Sequence, residues 1–376
     1  MRVFAPRERA HGERRVALTP DTARRLREAG LEIAVEAGAG LDATHDDDAY
    51  RDAGAAIVPD AAYETADAVL RVQAPDLDTA GRLSEGTVLI SFLQPAFQQD
   101  VVERLRQRRV TAFSLELVPR ISRAQSMDAL SSQASIAGYK AVLMAADRLG
   151  KYFPMLMSAA GTIAPARVLV LGAGVAGLQA IATARRLGAV VESYDVRPAV
   201  KEEVQSLGAR FIELELETQE GEGGYAREQS EDFLARQRRL LSERVAAADV
   251  VVTTAAVPGR RAPVLVTTDM VEGMRRGSVI VDIAAETGGN CELTRAGEVY
   301  ETGGGVAVDG TTNLAALVPV HASQLYARNV ATLLLAMVED GKLALDLGDE
   351  VLGGCCVTHA GELVSERAKQ LMGVPS

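Results

Sequence analysis

The sequence predicts an α/β protein of two Rossmann-like domains, the second a doubly wound parallel sheet, and three observations carry this. Short β-rich runs alternate with helical stretches along the chain. After residue 166 the alternation becomes regular, and the runs RVLVLG, AVVESYD, ADVVVTT and SVIVDI have the unbroken apolar character of strands buried on both faces. A length of 376 residues exceeds what one ordinary core covers. The expected division is residues 1–130 with 311–376 as one domain, and 131–310 as the other.

Taken in order, TPDTARRLREA (19–29) reads as a helix, LEIAVE (31–36) and TVLISF (87–92) as strands. The polar stretch PRISRAQSMDALSS (119–132) interrupts the pattern. Beyond it Ile136, Tyr139, Leu143, Ala146 and Gly150 recur at helical spacing, so 132–151 is expected to be a long helix, capped by Ser131 or Ser132, that joins the domains. The interval 215–240, rich in Glu, Gly, Arg and Gln, predicts a mobile loop followed by a polar helix. The apolar helix expected over 322–338 must be covered, and the first domain is the natural place for it.

Composition excludes several functions. A net charge of -11 argues against a nucleic-acid partner, and no apolar run reaches the roughly 18 residues of a membrane helix. The N-terminus carries no apolar signal-peptide core, so a cytoplasmic protein without direct membrane insertion is expected. Cys291, Cys355 and Cys356 have no metal-ligand spacing and read as small buried residues in a reducing compartment. His11, His45, His321 and His359 read as surface or capping residues.

Gly172-Ala-Gly174-Val-Ala-Gly177 follows one predicted strand and opens a helix at 176–187, with Asp195 at the end of the next strand. A lone GxGxxG is weak, but strand, helix, second strand and terminal acid at this spacing make a dinucleotide fingerprint. Gly172 permits the tight turn, Gly174 lets a pyrophosphate approach the backbone, and Gly177 lets helix and strand pack closely. The helix N-terminus supplies N–H groups and a positive dipole end to the phosphates. Asp195 would accept from the ribose hydroxyls and repel a 2'-phosphate, which favours NAD(H) over NADP(H); Arg197, two residues on, weighs the other way. The strand end TTAAVPG (253–259) suits a backbone that passes close to a cofactor.

The motifs PRISRAQSMDALSS, GAGVAGLQ, YDVRP, GGYA and AAETGGNC, in this order, resemble the NAD(H)-binding component of proton-translocating NAD(P) transhydrogenase over nearly the full chain. The resemblance implies direct hydride transfer between NADH and NADP+ held on a partner subunit, with proton translocation left to membrane-spanning subunits. It also implies a homodimer, peripheral at the inner face of the cell membrane. Carbon-to-carbon hydride transfer moves no proton at the reacting atoms, so groups that hold the rings in place replace titrating ones. This would explain a loop without His, Cys, Lys or Glu. By resemblance Arg120, Gln125, Asp128 and Ser131 act at the nicotinamide end, with Gln125 reaching toward the partner's nucleotide. By resemblance also, Gly224 and Tyr225 tip a loop over the nucleotide, and Val175, Val196 and Ala256 wall its site.

The alternative is an alanine dehydrogenase-like amino-acid dehydrogenase, with which RVALTP (15–20) is shared. Reductive amination must manage protons. The segments that resemble the dehydrogenases' Lys and His positions here read Val72-Gln73-Ala74-Pro75 and Phe92-Leu93-Gln94-Pro95, so both titrating groups are glutamine. Arg15 is then expected to pair with nearby acids. A non-catalytic NAD-binding protein would equally lack an acid and a base.

Overall fold

The computed structural model describes residues 1–213, 231–257 and 259–374. It divides into two compact units, Met1–Gln133 with Ala316–Ser376, and Ala134–Ala315. The first unit begins with β1 (Arg2–Ala5), β2 (Glu32–Glu36), β3 (Ala56–Val58), β4 (Ala68–Leu70), β5 (Val88–Ser91) and β6 (Thr111–Ser114). The second holds β7 (Leu156–Ser158), β8 (Gly161–Ile163), β9 (Arg167–Leu171), β10 (Val190–Tyr194), β11 (Arg210–Phe211), β12 (Val250–Thr253), β13 (Val279–Asp282), β14 (Val299–Glu301) and β15 (Ala307–Asp309). The chain then returns to the first with β16 (Val338–Glu339), β17 (Lys342–Leu343), β18 (Cys356–His359) and β19 (Glu362–Leu363).

In the first unit the sheet order is β19-β18-β6-β5-β4-β1-β2-β3, with β1 to β6 parallel and β18 antiparallel against β6. Its core joins sequence-distant pieces: Val3, Phe4, Leu89 and Phe113 from strands pack in one cluster with Tyr326, Val330, Leu333 and Leu334 of the helix Pro319–Leu335. Each such buried side chain contributes about 1.5–3 kcal/mol. The returning helix is therefore a structural part of this unit, three residues earlier at each end than the sequence pattern suggests.

The second unit's sheet runs β11-β10-β9-β12-β13-β15-β14, parallel throughout except for β14. Chain order reverses direction between β9 and β12, which is the switch point where doubly wound sheets bind ligands. The helix after β9, Val175–Arg186, buries Gly177, Ala180, Ile181, Thr183 and Ala184, and this small-residue face lets it lie close on the sheet. Gly138 serves the same end: a Cβ there would stand 2.0 Å from the Ala176 carbonyl oxygen.

The structure corrects the connecting helix in two respects. It spans Ala129–Arg148, and the group that takes its N-terminal N–H is the carboxylate of Asp128, not the hydroxyl of Ser131 or Ser132: Asp128 Oδ1 accepts from Ser131 N at 2.8 Å. Its buried stripe is Ala137, Ala141, Val142, Ala145 and Leu149, whereas Tyr139 and Gly150 are exposed. Reading the larger residues as the stripe rotated it, because the helix here packs through alanine.

After 213 the described chain resumes at the helix Glu231–Ala247. The expected loop with Gly224 and Tyr225 lies outside the described residues.

Candidate functional site

At the switch point of the second unit, β9 ends in Gly172 with φ 101°, in the left-handed region that glycine adopts freely. A Cβ on Gly172 would stand 2.6 Å from Thr254 Oγ1, and that hydroxyl donates to the Gly172 carbonyl at 3.0 Å, so the ends of β9 and β12 are stitched together. On Gly177 a Cβ would lie 1.9 Å from the same carbonyl oxygen. Gly174 differs, since a Cβ there would meet nothing within 4 Å, and its backbone faces open space at the start of the helix Val175–Arg186. This is the cradle a diphosphate needs: unpaired N–H groups of a helix N-terminus and no side chain in the way. Val175 is exposed beside it, and Val196 is half-buried against the unit's core.

Asp195 follows β10 and is nearly buried. Its Oδ2 accepts from Ala173 N at 2.7 Å and Arg197 Nη2 at 2.9 Å; its Oδ1 accepts from Arg197 N and Nε, each at 2.9 Å. A carboxylate has about four acceptor directions, and these four bonds occupy them. Asp195 thus holds the glycine turn shut, and its charge is matched by Arg197. A ribose could bond to it only by sharing or displacing those donors.

The sequence reading missed two residues that shape the other wall. Asp282, 0% exposed at the end of β13, accepts from Thr253 Oγ1, Ala284 N, Asn290 N, Cys291 N and Thr294 Oγ1 at 2.6–3.1 Å. Asn290, also fully buried, bonds Ala255 N through Oδ1 at 2.9 Å and the Ala255 and Pro263 carbonyls through Nδ2 at 2.8 and 2.7 Å. Together they clamp the segment after β12, which presents Ala256 exposed. The signal was an acid ending an apolar strand, SVIVDI, followed by the asparagine of AAETGGNC.

In the first unit the polar loop is a 3-10 turn, Ser122–Met127, leading into the long helix. Ala124 and Met127, three apart and hence on one side of such a turn, are buried in the unit's core. That leaves Gln125 and Ser126 exposed, as is Arg120. Asp128 and Ser131 hold each other, with Ser131 Oγ donating to Asp128 Oδ2 at 2.6 Å. Nothing in this arrangement poises a proton for transfer.

The same unit buries two ion pairs. Arg15 donates Nη2–H to Glu13 Oε2 at 2.6 Å and Nε–H to Oε1 at 2.8 Å, and Arg71 donates to Glu8 at 3.1 Å and to Tyr63 Oη at 2.8 Å. Burial alone would raise the Glu13 pKa, but hydrogen bonds and charge from Arg15 hold it down at about 2. Gln73 Nε2 donates to Glu13 Oε2 at 2.8 Å. Gln94 is exposed in a left-handed conformation, φ 49°, with its backbone N–H donated to the Glu116 carboxylate. Arg15 is thus paired with an acid, as expected. No group of three or more His, Cys, Asp or Glu among the described residues could hold a metal.

A glycine turn stitched shut at the switch point of a doubly wound sheet defines a protein of the dinucleotide-binding class. Family models agree: residues 4–137 match the alanine dehydrogenase/PNT N-terminal domain, and 141–366 the corresponding C-terminal domain. Over 376 residues the chain is 46% identical to the first portion of the NAD(P) transhydrogenase alpha subunit of Rhodospirillum rubrum, a separate chain there, with 97% of this chain and 98% of that one covered. A solved transhydrogenase from Sinorhizobium meliloti matches with TM-score 0.89 and 44% identity over 97% of this chain and all of that one. Alanine dehydrogenase of Mycobacterium tuberculosis is more distant, 31% identical over 100% of this chain and 98% of its own. The chain belongs to the alanine dehydrogenase/PNT family, in its NAD(P) transhydrogenase alpha-subunit branch.

Proposed function

We propose that this chain is the NAD(H)-binding component of a proton-translocating transhydrogenase, exchanging hydride between NADH and NADP+ carried by a partner subunit. The observation that carries the reading is what stands at the two positions where an imine-reducing dehydrogenase needs proton-handling groups. Both are glutamine: Gln73 is bound to Glu13, and Gln94 is exposed. Hydride transfer between two nicotinamides needs neither acid nor base, only fixed geometry. A non-catalytic NAD-binding protein would share that absence, and activity with the partner separates the two.

Within this reading, NAD(H) supplies or accepts the hydride. Gly172, Gly174, Val175 and Gly177 receive the pyrophosphate, and Asp195, Val196 and Arg197 the adenosine end. Ala256 borders the same site, and Gly224 and Tyr225 close over it. Arg120, Gln125, Asp128 and Ser131 set the nicotinamide end. The open space at Gly174 fits a bound diphosphate. No helix among the described residues is long and apolar enough to cross a membrane, so proton translocation falls to membrane-spanning subunits beside which this chain acts as a peripheral homodimer on the cytoplasmic side.

The test mixes the chain with a purified NADP(H)-binding transhydrogenase subunit and follows hydride transfer from NADH to an NADP+ analogue by stopped-flow absorbance. Transfer that requires both proteins is the expected result; none in the saturated complex would overturn the reading. Calorimetry should also find NADH binding at least about tenfold tighter than NADPH, and equal affinities would remove Asp195 from its assigned role.

A further inference from the structure

The polar turn that carries Gln125 is held by a hydrogen-bond chain whose direction is forced at every step. Arg15 can only donate, and its Nη1 gives a hydrogen bond to Gln133 Oε1 at 2.9 Å. That orients the Gln133 amide, so its Nε2 donates to the Ala322 carbonyl at 3.1 Å and to Ser132 Oγ at 3.3 Å. Ser132 Oγ lies 2.8 Å from Asn329 Oδ1 and donates to it. Asn329 Nδ2 in turn donates to the backbone carbonyl of Ser126 at 2.8 Å. Reversing the Asn329 amide would set its oxygen against that carbonyl, acceptor against acceptor, so the orientation is imposed by the network. Gln133 and Asn329 are 6% and 8% exposed, while Ser126 and Gln125 are exposed.

The ends of this chain differ in character. At one end is the buried Arg15–Glu13 pair, which also engages Gln73. At the other is the carbonyl of the residue next to Gln125. The turn itself has few internal ties, among them Asp128 N to the Gln125 carbonyl at 3.3 Å, a long bond. Ala124 and Met127 fix its buried side, which leaves the peptide after Ser126 to be fixed by Asn329.

We propose that Asn329 is a positioning residue for Gln125, and that Arg15, Gln133 and Ser132 act through it by setting the direction of its amide. A charge pair that in a dehydrogenase would face a substrate carboxylate here serves as the anchor of a scaffold. The proposal rests on the transhydrogenase reading, since it assigns a task to the turn only if Gln125 takes part in hydride transfer.

Two variants and a pair test it, each mixed with the saturating NADP(H)-binding partner. Asn329→Ala should bind NADH within about twofold of the unmutated chain while single-turnover hydride transfer slows roughly tenfold or more, because small misplacement of reacting groups costs rate steeply. Ser132→Ala, which leaves the Ser126 contact but removes the donor that orients it, should slow transfer less, and it decides the matter if Asn329→Ala fails to fold. Combined with Gln125→Asn, the loss from Asn329→Ala should be much smaller than the product of the single losses, because the two act through one group. A purely structural Asn329 would instead weaken NADH binding in step with rate and give multiplicative losses. Either result, or an unchanged rate in Ser132→Ala, overturns the proposal. If the unmutated chain transfers no hydride, it is the functional reading that fails.

Discussion

Glu13 shows how far a buried charge depends on its partner. Its side chain is 0% exposed and that of Arg15 is 4% exposed, so neither reaches water if the other is removed. Glu13→Gln leaves the guanidinium buried without its counter-charge and should cost about 3–5 kcal/mol at neutral pH. The pH dependence has a definite sign. The carboxyl's folded pKa of about 2 lies below its ordinary 4.5, so its contribution is complete above 4.5 and is lost as pH falls through 2. Urea midpoints of the variant and the unmutated chain should therefore differ most at pH 7 and converge below pH 4.5. A gap that stays constant down to pH 3 would mean that the pair is not what holds Glu13 ionised. Residue chemistry of this kind was half legible. That Arg15 would pair with an acid followed from the missing proton donors, but Asn329 meets Ser126 across 203 positions of sequence, and no local pattern announces such a contact.

At the scale of the element, the strands were legible because parallel strands buried on both faces must be continuous apolar runs, and β9, β12 and β13 are. Helix ends were less so. Asp128 outcompetes Ser131 as cap by accepting both its N–H and its hydroxyl, and the sequence offers three adjacent candidates for one role. Three glycines in the turn after β9 looked equivalent in the motif, and the structure separates them into a test. Gly177→Ala drives a methyl to 1.9 Å from a backbone carbonyl, so the turn must open; we expect a loss of about 1–3 kcal/mol in stability. Gly174→Ala meets open space at φ -77°, so stability should change by less than about 0.5 kcal/mol while NADH affinity falls at least about tenfold. Thermal melts with and without NADH distinguish the two. If Gly174→Ala binds NADH as tightly as the unmutated chain, the pyrophosphate does not lie where the motif puts it.

Over the whole molecule, the same chain course serves two chemistries. An alanine dehydrogenase shares 31% of residues over the full length, so fold cannot decide between the activities and the decision rests on a few side chains. Their identities were readable in the sequence; their surroundings were not. Gln73 donates to the carboxylate that neutralises Arg15, which removes both the cation that would grip a substrate carboxylate and the site from which a proton would come. Gln94 sits in a left-handed conformation, φ 49°, its backbone bound by Glu116. The chain alone should therefore show no oxidation of L-alanine and no reduction of pyruvate with ammonia above background. The pair of substitutions Gln73→Lys and Gln94→His should not install either activity, because a lysine at 73 would meet Glu13 as its nearest acid and become its ion-pair partner. Steady-state assays at saturating NAD+ or NADH measure this directly. Robust turnover by the unmutated chain would move it from the transhydrogenase chemistry to that of the dehydrogenases, and turnover by the double variant alone would show that Glu13 yields Arg15 more easily than its buried pairing implies.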